Sequence, residues 1–156
     1  MLVLSPILVV GSLCCIFLIE KYGRRKLLII GYSIQFISLI VIRIDFGFSG
    51  DLSNNFVMAF TMISLFGHGL SSGPITYVYL TDILPDIGVA FCLFFNWCFA
   101  SLITFSALLL DWNKHQKTVF DVFVFSSLFA VVFMVLIVEE TKGKSQKEIW
   151  YKMSQD

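Results

Sequence analysis

Charged residues are scarce in this 156-residue chain, and their scarcity excludes a water-soluble fold. Only 14% of the residues are charged, 58% are hydrophobic, and the mean hydropathy is +0.87. A soluble domain carries about 25% charged residues, because it needs them to cover its surface. The composition therefore predicts an integral membrane protein whose main partner is the lipid bilayer.

Sequence patterns of catalysis and metal binding are also missing. No Gly-rich phosphate loop occurs, and no acid pair or His/Cys cluster has metal-ligand spacing. The four cysteines lie inside apolar runs without any metal or redox spacing, so they indicate packing residues and no disulfide framework. They are Cys14, Cys15, Cys92 and Cys98. We therefore expect no enzyme activity, no cofactor and no nucleic-acid partner.

Long hydrophobic runs are the dominant positive feature. Five runs of roughly 18 to 25 residues are separated by charged clusters, and about 20 helical residues cross a bilayer core of about 30 Å. Residues 123–138 lack the polar and apolar alternation of barrel strands. The predicted fold class is an all-α integral membrane bundle over residues 1–138, followed by a tail with a short helix over residues 139–156. The predicted helices lie near residues 2–19, 27–44, 56–80, 87–110 and 119–138.

The distribution of Lys and Arg predicts the orientation. One side of the predicted bundle carries eight of them, in the turn at residues 20–26 and in the tail, whereas the other side carries three. The positive-inside rule therefore places the basic turn and the C-terminus in the cytosol. The first run has no basic residue before it, which favours a membrane anchor over a cleaved signal peptide.

Four motifs in the sequence carry a family resemblance. Glu20-x-x-Gly23-Arg24-Arg25 resembles the E-x-x-G-R-R signature between the eighth and ninth helices of sugar porters, a branch of the major facilitator superfamily that includes facilitative glucose transporters. Three further motifs follow in the family's order and resemble its tenth-helix G-P-I-P-W segment with acidic-x-x-P, its N-W pair and its E-T-K-G-K segment. They are residues 73–77 with 82–85, Asn96-Trp97, and residues 140–149.

The resemblance covers the last five helices of a twelve-helix carrier. It implies the C-terminal half of a major facilitator fold and transport of a hexose-like sugar by alternating access, in the plasma membrane or an intracellular membrane. Because five helices cannot enclose the sugar site, we expect the missing N-terminal helices from elsewhere, and the chain is interpreted as a fragment or truncated product. The alternative is a non-transporting membrane module that associates with an intact carrier.

Several positions depart from the family pattern. The family's eighth-helix Asn corresponds to Leu8, its sugar-contacting tenth-helix Glu to Gly69, and its Trp to Tyr77. The second Pro of G-P-I-P is Thr76, and the Pro before E-T-K-G is Glu139. These differences reduce the number of direct sugar contacts that the resemblance implies.

The charged motifs imply a gate at the basic side. In the family, arginines of the basic turn pair with acids at the ends of other helices when the carrier faces outward, and opening inward breaks the pairs. The corresponding residues here are Glu20, Arg24, Arg25, Asp82 and Glu140. Partly solvated pairs are individually weak, but several together can bias two conformations. The alternative is that the basic turn only anchors the topology.

The run at residues 56–80 contains the strongest candidate for a substrate-lining break. Pro74 lacks an N–H group, so the Leu70 carbonyl loses its helical partner and a kink is expected near residues 71–74. Broken helices line substrate cavities in transporters. The alternative is that Gly69-x-x-x-Gly73 forms a helix-packing face.

Aromatic and polar side chains near this break complete the predicted substrate site. The Tyr77 ring can stack on a sugar face, and the Asn96 amide can both donate and accept hydrogen bonds, although a bond between helices would explain Asn96 equally well. His68 indicates either a packing role or a substrate or proton site. The full set of candidates is His68, Ser72, Gly73, Pro74, Tyr77, Asn96 and Trp97.

Overall fold

The computed structural model describes residues 4–48, 54–109, 112–144 and 146–153. Regular structure in these ranges is helical, and five stretches are long and apolar enough to cross a membrane. The predicted all-α membrane bundle is therefore confirmed. The helices are α1 Leu4–Tyr22, α2 Arg24–Phe48, α3 Asn54–Leu70, α4 Pro74–Ile83, α5 Asp86–Leu109, α6 Trp112–Leu136 and α7 Gln146–Met153.

The third crossing, Asn55–Ile83, is interrupted by a turn at residues 71–73. The Gly73 N–H reaches back five residues to the His68 carbonyl at 3.1 Å, and α4 then begins with Pro74. Proline suits this first helical position because its missing N–H would have no helical partner there. The helix expected over residues 56–80 is thus two helices, and the break falls where Pro74 predicts it.

Glycines let α3 lie between α1 and α2 at very short range. A Cβ on Gly69 would lie 2.6 Å from the Leu8 carbonyl oxygen and 3.3 Å from Gly11 Cα, both on α1. On the other side of α3, a Cβ on Gly67 would lie 2.9 Å from the Gly31 carbonyl oxygen of α2. Only glycine permits backbones to approach so closely.

The alternative interpretation, that Gly69 and Gly73 together form a helix-packing face, holds for Gly69 only. A Cβ on Gly73 would come no nearer than 3.6 Å to the His68 carbonyl oxygen, which is ordinary contact. Gly73 therefore belongs to the helix break and does not mediate close packing.

Helix α2 is the centre of the bundle and contacts α1, α3, α4 and α6. The buried core lies around its first half and consists of Cys15, Leu27, Leu28, Leu70, Ile75 and Val138. Burial of Cys15 agrees with a packing role, whereas Cys92 and Cys98 are exposed on α5. Helix α5 contacts mainly α4, and no residue of its crossing Asp86–Ser106 is buried inside the described bundle.

The short tail helix α7 packs on α4. Ile149 is buried there, and the Trp150 indole N–H donates to the Ile83 carbonyl at 2.5 Å. This bond satisfies a carbonyl at the end of α4 that has no partner further along the helix. The spacing of Ser145 and Glu148 is typical of a capping box at the start of a helix, but Ser145 lies outside the described residues.

Candidate functional site

The candidate site begins at the basic turn between α1 and α2, where Gly23 reverses the chain. Its φ is +87°, a left-handed conformation that favours glycine, and its N–H donates to the Ile19 carbonyl at 3.1 Å. A Cβ on Gly23 would also lie 2.6 Å from an oxygen of the Glu140 carboxylate. Glycine is therefore required here for both its backbone conformation and its lack of a side chain.

The Glu140 carboxylate caps the N-terminus of α2. Its Oε1 accepts the Arg24 N–H at 2.9 Å and its Oε2 accepts the Arg25 N–H at 3.2 Å. A negative charge is stabilised at a helix N-terminus, where the first N–H groups lack helical partners. The expected pairing of Glu140 with the two arginines thus takes a different form, through their backbone amides.

Arg24 forms the ion pair that links α2 to α4. Its Nε lies 3.1 Å from Asp82 Oδ2, and both side chains are 25% exposed. The Thr141 hydroxyl donates to the same oxygen at 2.8 Å. Arg25 points elsewhere, since its Nη2 donates to the Val135 carbonyl at 2.8 Å. We call Arg24, Asp82, Glu140 and Thr141 the Arg24 cluster.

Glu20 contacts Lys142 through its backbone carbonyl. Its side chain is exposed, and its carbonyl accepts a hydrogen bond from the Lys142 ammonium group. Lys142 also donates to the Lys21 carbonyl at 3.3 Å. A positive charge at the C-terminus of α1 is favourable for the helix dipole. Lys142 and Glu140 therefore bind the two helix ends that meet at the basic turn.

Three contributors at this end were not singled out in the sequence. Thr141 and Lys142 lie in the motif that supplied Glu140, but only charged pairs between side chains were considered there. Tyr79 has no motif signal, and its hydroxyl accepts the Glu139 N–H at 3.1 Å. Lys142 carries a signal that a cation is favourable at the C-terminus of a helix, whereas Thr141 carries none, since its hydroxyl binds the Asp82 carboxylate.

Removing the cap is a direct test of this arrangement. We expect Glu140→Ala to weaken the start of α2 by about 1 kcal/mol, because two N–H groups lose their acceptor. Hydrogen exchange at the Arg24 and Arg25 amides should accelerate by about fivefold. Glu20→Ala is the matched control, since it removes an exposed carboxylate beside the same turn, and equal acceleration in both variants would contradict the cap.

A second polar group lies at the break between α3 and α4. The Ser72 hydroxyl lies 2.5 Å from His68 Nδ1, and the Tyr32 hydroxyl of α2 lies beside Ser72 and Thr76. Ser71 is buried, and its hydroxyl donates to the Gly67 carbonyl at 2.9 Å. The structure thus brings together His68 and Ser72 of the predicted substrate residues, next to Pro74.

The remaining substrate candidates lie on separate helices. Tyr77 is 40% exposed on α4, whereas Asn96 and the 64% exposed Trp97 lie on α5. Among the described contacts, none joins Asn96 or Trp97 to Tyr77. Trp97 instead borders a shallow groove along α5 with Phe94, Cys98, Ser101, Leu102 and Phe105.

The order and packing of these helices define a class of fold, the multi-pass helical membrane bundle. A double tryptophan mutant of XylE superimposes with a TM-score of 0.83 at 20% identity, over 97% of this chain and 34% of XylE. A second XylE structure, of a major facilitator superfamily proton:xylose symporter bound to 6-bromo-6-deoxy-D-glucose, gives 0.74 at 21% identity over the same shares. These similarities show the fold.

Sequence comparison identifies the family. The chain belongs to the "Sugar (and other) transporter" family, whose model matches residues 1–152. Its members are transporters and not enzymes. The suspected family is therefore confirmed, and the protein is a multi-pass membrane protein.

Several curated relatives match most of the chain. It is 32% identical to the probable plastidic glucose transporter 1 of Arabidopsis thaliana over 89% of the chain and 28% of that relative. The sugar transporter ERD6 of the same plant is 29% identical over 94% of the chain and 31% of its own length. The hexose transporter HXT14 of Saccharomyces cerevisiae is 26% identical over 95% of the chain and 28% of its own length. The chain thus spans less than a third of each of these relatives.

Proposed function

We propose that this chain forms part of a carrier that moves a hexose-like sugar across a membrane by alternating access. Family membership supports sugar as the transported class. The observation that carries the mechanism is that α4, the half-helix beyond the break, is tied to α2 by the Arg24–Asp82 pair. This pair lies at the helix ends, where water solvates both charges when they separate, so it is weak enough to break and re-form during a cycle.

In this mechanism the Arg24 cluster is the gate on the cytosolic side. While Arg24 holds Asp82 and Thr141 holds the same carboxylate, the end of α4 stays against α2 and the path to the cytosol is closed. When these contacts break, α4 swings about the turn at residues 71–73. Glu140 and Glu20 stay with the basic turn, through the α2 amides and through Lys142.

The sugar site is proposed between α4 and α5. Tyr77 stacks on the apolar face of the sugar, and Asn96 donates to one hydroxyl while accepting from another. Trp97 supplies a further ring. Ser72 and His68 lie beside the break that Gly73 and Pro74 form, and broken helices line substrate cavities in transporters.

Further helices are needed to enclose this site, since the α5 crossing is uncovered in the described bundle. We propose that the helices that complete a carrier, from the same polypeptide or from an intact transporter, pack on α5. The uncovered α5 also favours the second candidate function, a non-transporting module that docks on an intact carrier. The plasma membrane is the proposed location, with the basic turn and the tail in the cytosol.

Reconstitution distinguishes the two functions. Proteoliposomes are prepared with the chain alone, with an intact sugar carrier alone, and with both, and uptake of labelled glucose is measured. Saturable uptake by the chain, or an increase above the carrier alone, supports transport. A decrease in the carrier's uptake, with none by the chain, supports the docking module. Absence of any effect contradicts both functions.

Asn96 provides the residue-level test of the sugar site. In the reconstitution in which the chain adds saturable uptake, we expect Asn96→Ala to reduce that contribution by about tenfold, because one amide supplies two hydrogen bonds to the sugar. Ser101→Ala is the matched control, since Ser101 is a polar residue about 140° around the same helix. A similar reduction in both variants would show that the substitutions disturb α5 and that Asn96 does not bind the sugar.

A further inference from the structure

The end of α2 opposite the basic turn carries a second ion pair, formed with α6. Arg43 Nε lies 2.5 Å from Asp121 Oδ1, and Arg43 Nη2 lies 3.2 Å from Asp121 Oδ2. Both carboxylate oxygens therefore contact the guanidinium group, which is the two-point geometry that makes arginine–carboxylate pairs strong and directional. None of the family motifs recognised in the sequence includes Arg43 or Asp121.

The position of this pair in the membrane favours a lasting contact. Arg43 lies two residues inside the end of the crossing Arg24–Asp45, and Asp121 lies four residues inside the start of Lys117–Leu136. At a rise of 1.5 Å per residue, these groups lie about 3 and 6 Å within their helical spans. A charge at such a position is costly unless it is paired, so separation of Arg43 from Asp121 is disfavoured.

Helix α6 is also fastened to α2 at the other end. There the Arg25 guanidinium donates to the Val135 carbonyl, and Glu140, four residues beyond the end of α6, accepts the first two N–H groups of α2. Helix α4, in contrast, is held to α2 at the basic turn by the Arg24–Asp82 pair. Helices α4 and α6, two of the four neighbours of α2, are therefore attached to it in different ways.

We propose that Arg43 and Asp121 are positioning residues that join α2 and α6 into one rigid body against which α4 moves. The joint holds the far ends of the two helices, while Arg25 and Glu140 hold the near ends. Movement of α4 against this body rests on the proposed alternating-access function, but the joint itself does not. The pair keeps the Arg24 cluster in register because α6 leads directly into Glu140 and Thr141.

Cross-linking in membranes tests the rigid joint. In a background with the four native cysteines replaced, one cysteine pair joins α2 to α6 one helical turn from Arg43 and Asp121, and a second joins α2 to α4 one helical turn from Arg24 and Asp82, so that both ion pairs stay intact. Each variant is treated with a short bifunctional thiol reagent, with and without glucose. We expect the yield across α2 and α6 to be unchanged by glucose and the yield across α2 and α4 to change by at least about twofold. A glucose-dependent yield across α2 and α6 would overturn the joint. Constant yields at both pairs would support the joint but contradict the proposed movement of α4.

Charge variants test whether the ion pair itself makes the joint. Arg43→Gln and Asp121→Asn should each lower the melting temperature of the full chain in detergent by about 5 °C. The swap of Arg43→Asp with Asp121→Arg should recover more than half of that loss. Lys117→Gln, which removes an exposed cation one turn before Asp121, should change the melting temperature by less than about 2 °C. A swap that is no more stable than the single variants would show that the pair does not hold the helices.

Discussion

Replacing Gly69 with alanine is expected to force α1 and α3 apart and to destabilise the bundle by about 1–3 kcal/mol. The new methyl group would lie 2.6 Å from the Leu8 carbonyl oxygen and 3.3 Å from Gly11 Cα. Both are backbone atoms, so neither can rotate away as a flexible side chain would. The helices must separate, and the packing between small residues that holds membrane helices together is then lost.

Thermal unfolding in detergent measures this effect, and Gly73→Ala is its matched control. Gly73 lies on the same crossing, but its new Cβ would meet nothing closer than 3.6 Å, so its melting temperature should stay near that of the unmodified protein. Gly11→Ala should behave like Gly69→Ala because its Cβ would lie 2.8 Å from the Phe66 carbonyl oxygen. Combining Gly11→Ala with Gly69→Ala should lower the melting temperature by less than the sum of the two single effects, since one substitution already separates the helices. Equal melting temperatures for Gly69→Ala and Gly73→Ala would contradict the close contact.

The helices and the break were accessible from the sequence because both are local properties. An apolar run long enough to span the bilayer must satisfy its backbone groups as a helix, whatever its neighbours. Pro74 removes one N–H wherever the helix lies, and the interruption at residues 71–73 follows. The glycine contacts were not accessible in the same way, because Gly69 meets Gly11 only after α1 and α3 pack.

The Arg24 cluster shows which part of a charged site a motif predicts. The resemblance supplied the residue types, but adjacent helical residues point about 100° apart, so Arg24 and Arg25 cannot both face Asp82. Nor does the motif state whether a carboxylate binds a guanidinium group or the amides at a helix start. Glu140 binds the amides, and this preference depends on the chain returning to the basic turn after α6. The placement of Asn96 and Trp97 depends likewise on what covers α5.

Reversing the charge at either member of the Arg24–Asp82 pair is expected to reduce sugar uptake by at least about tenfold, and reversing both should recover a large part of it. Each single variant, Arg24→Asp or Asp82→Arg, places like charges where the structure has an N–O distance of 3.1 Å. Repulsion then releases α4 from α2 and shifts the carrier toward the conformation that is open to the cytosol. A population shift of this kind lowers uptake because one of the two states becomes rare.

The double reversal restores an attractive pair at the same place, so both uptake and melting temperature should rise above those of the single variants. Arg25 is the internal control, since its guanidinium donates to the Val135 carbonyl and not to an acid. Combining Arg25→Asp with Asp82→Arg should therefore recover nothing. Uptake of labelled glucose in proteoliposomes and thermal unfolding in detergent are measured on the same preparations. Recovery in the variant with Arg25→Asp and Asp82→Arg, and none in the variant with Arg24→Asp and Asp82→Arg, would contradict this gate. Arg25, and not Arg24, would then hold Asp82 in the working carrier.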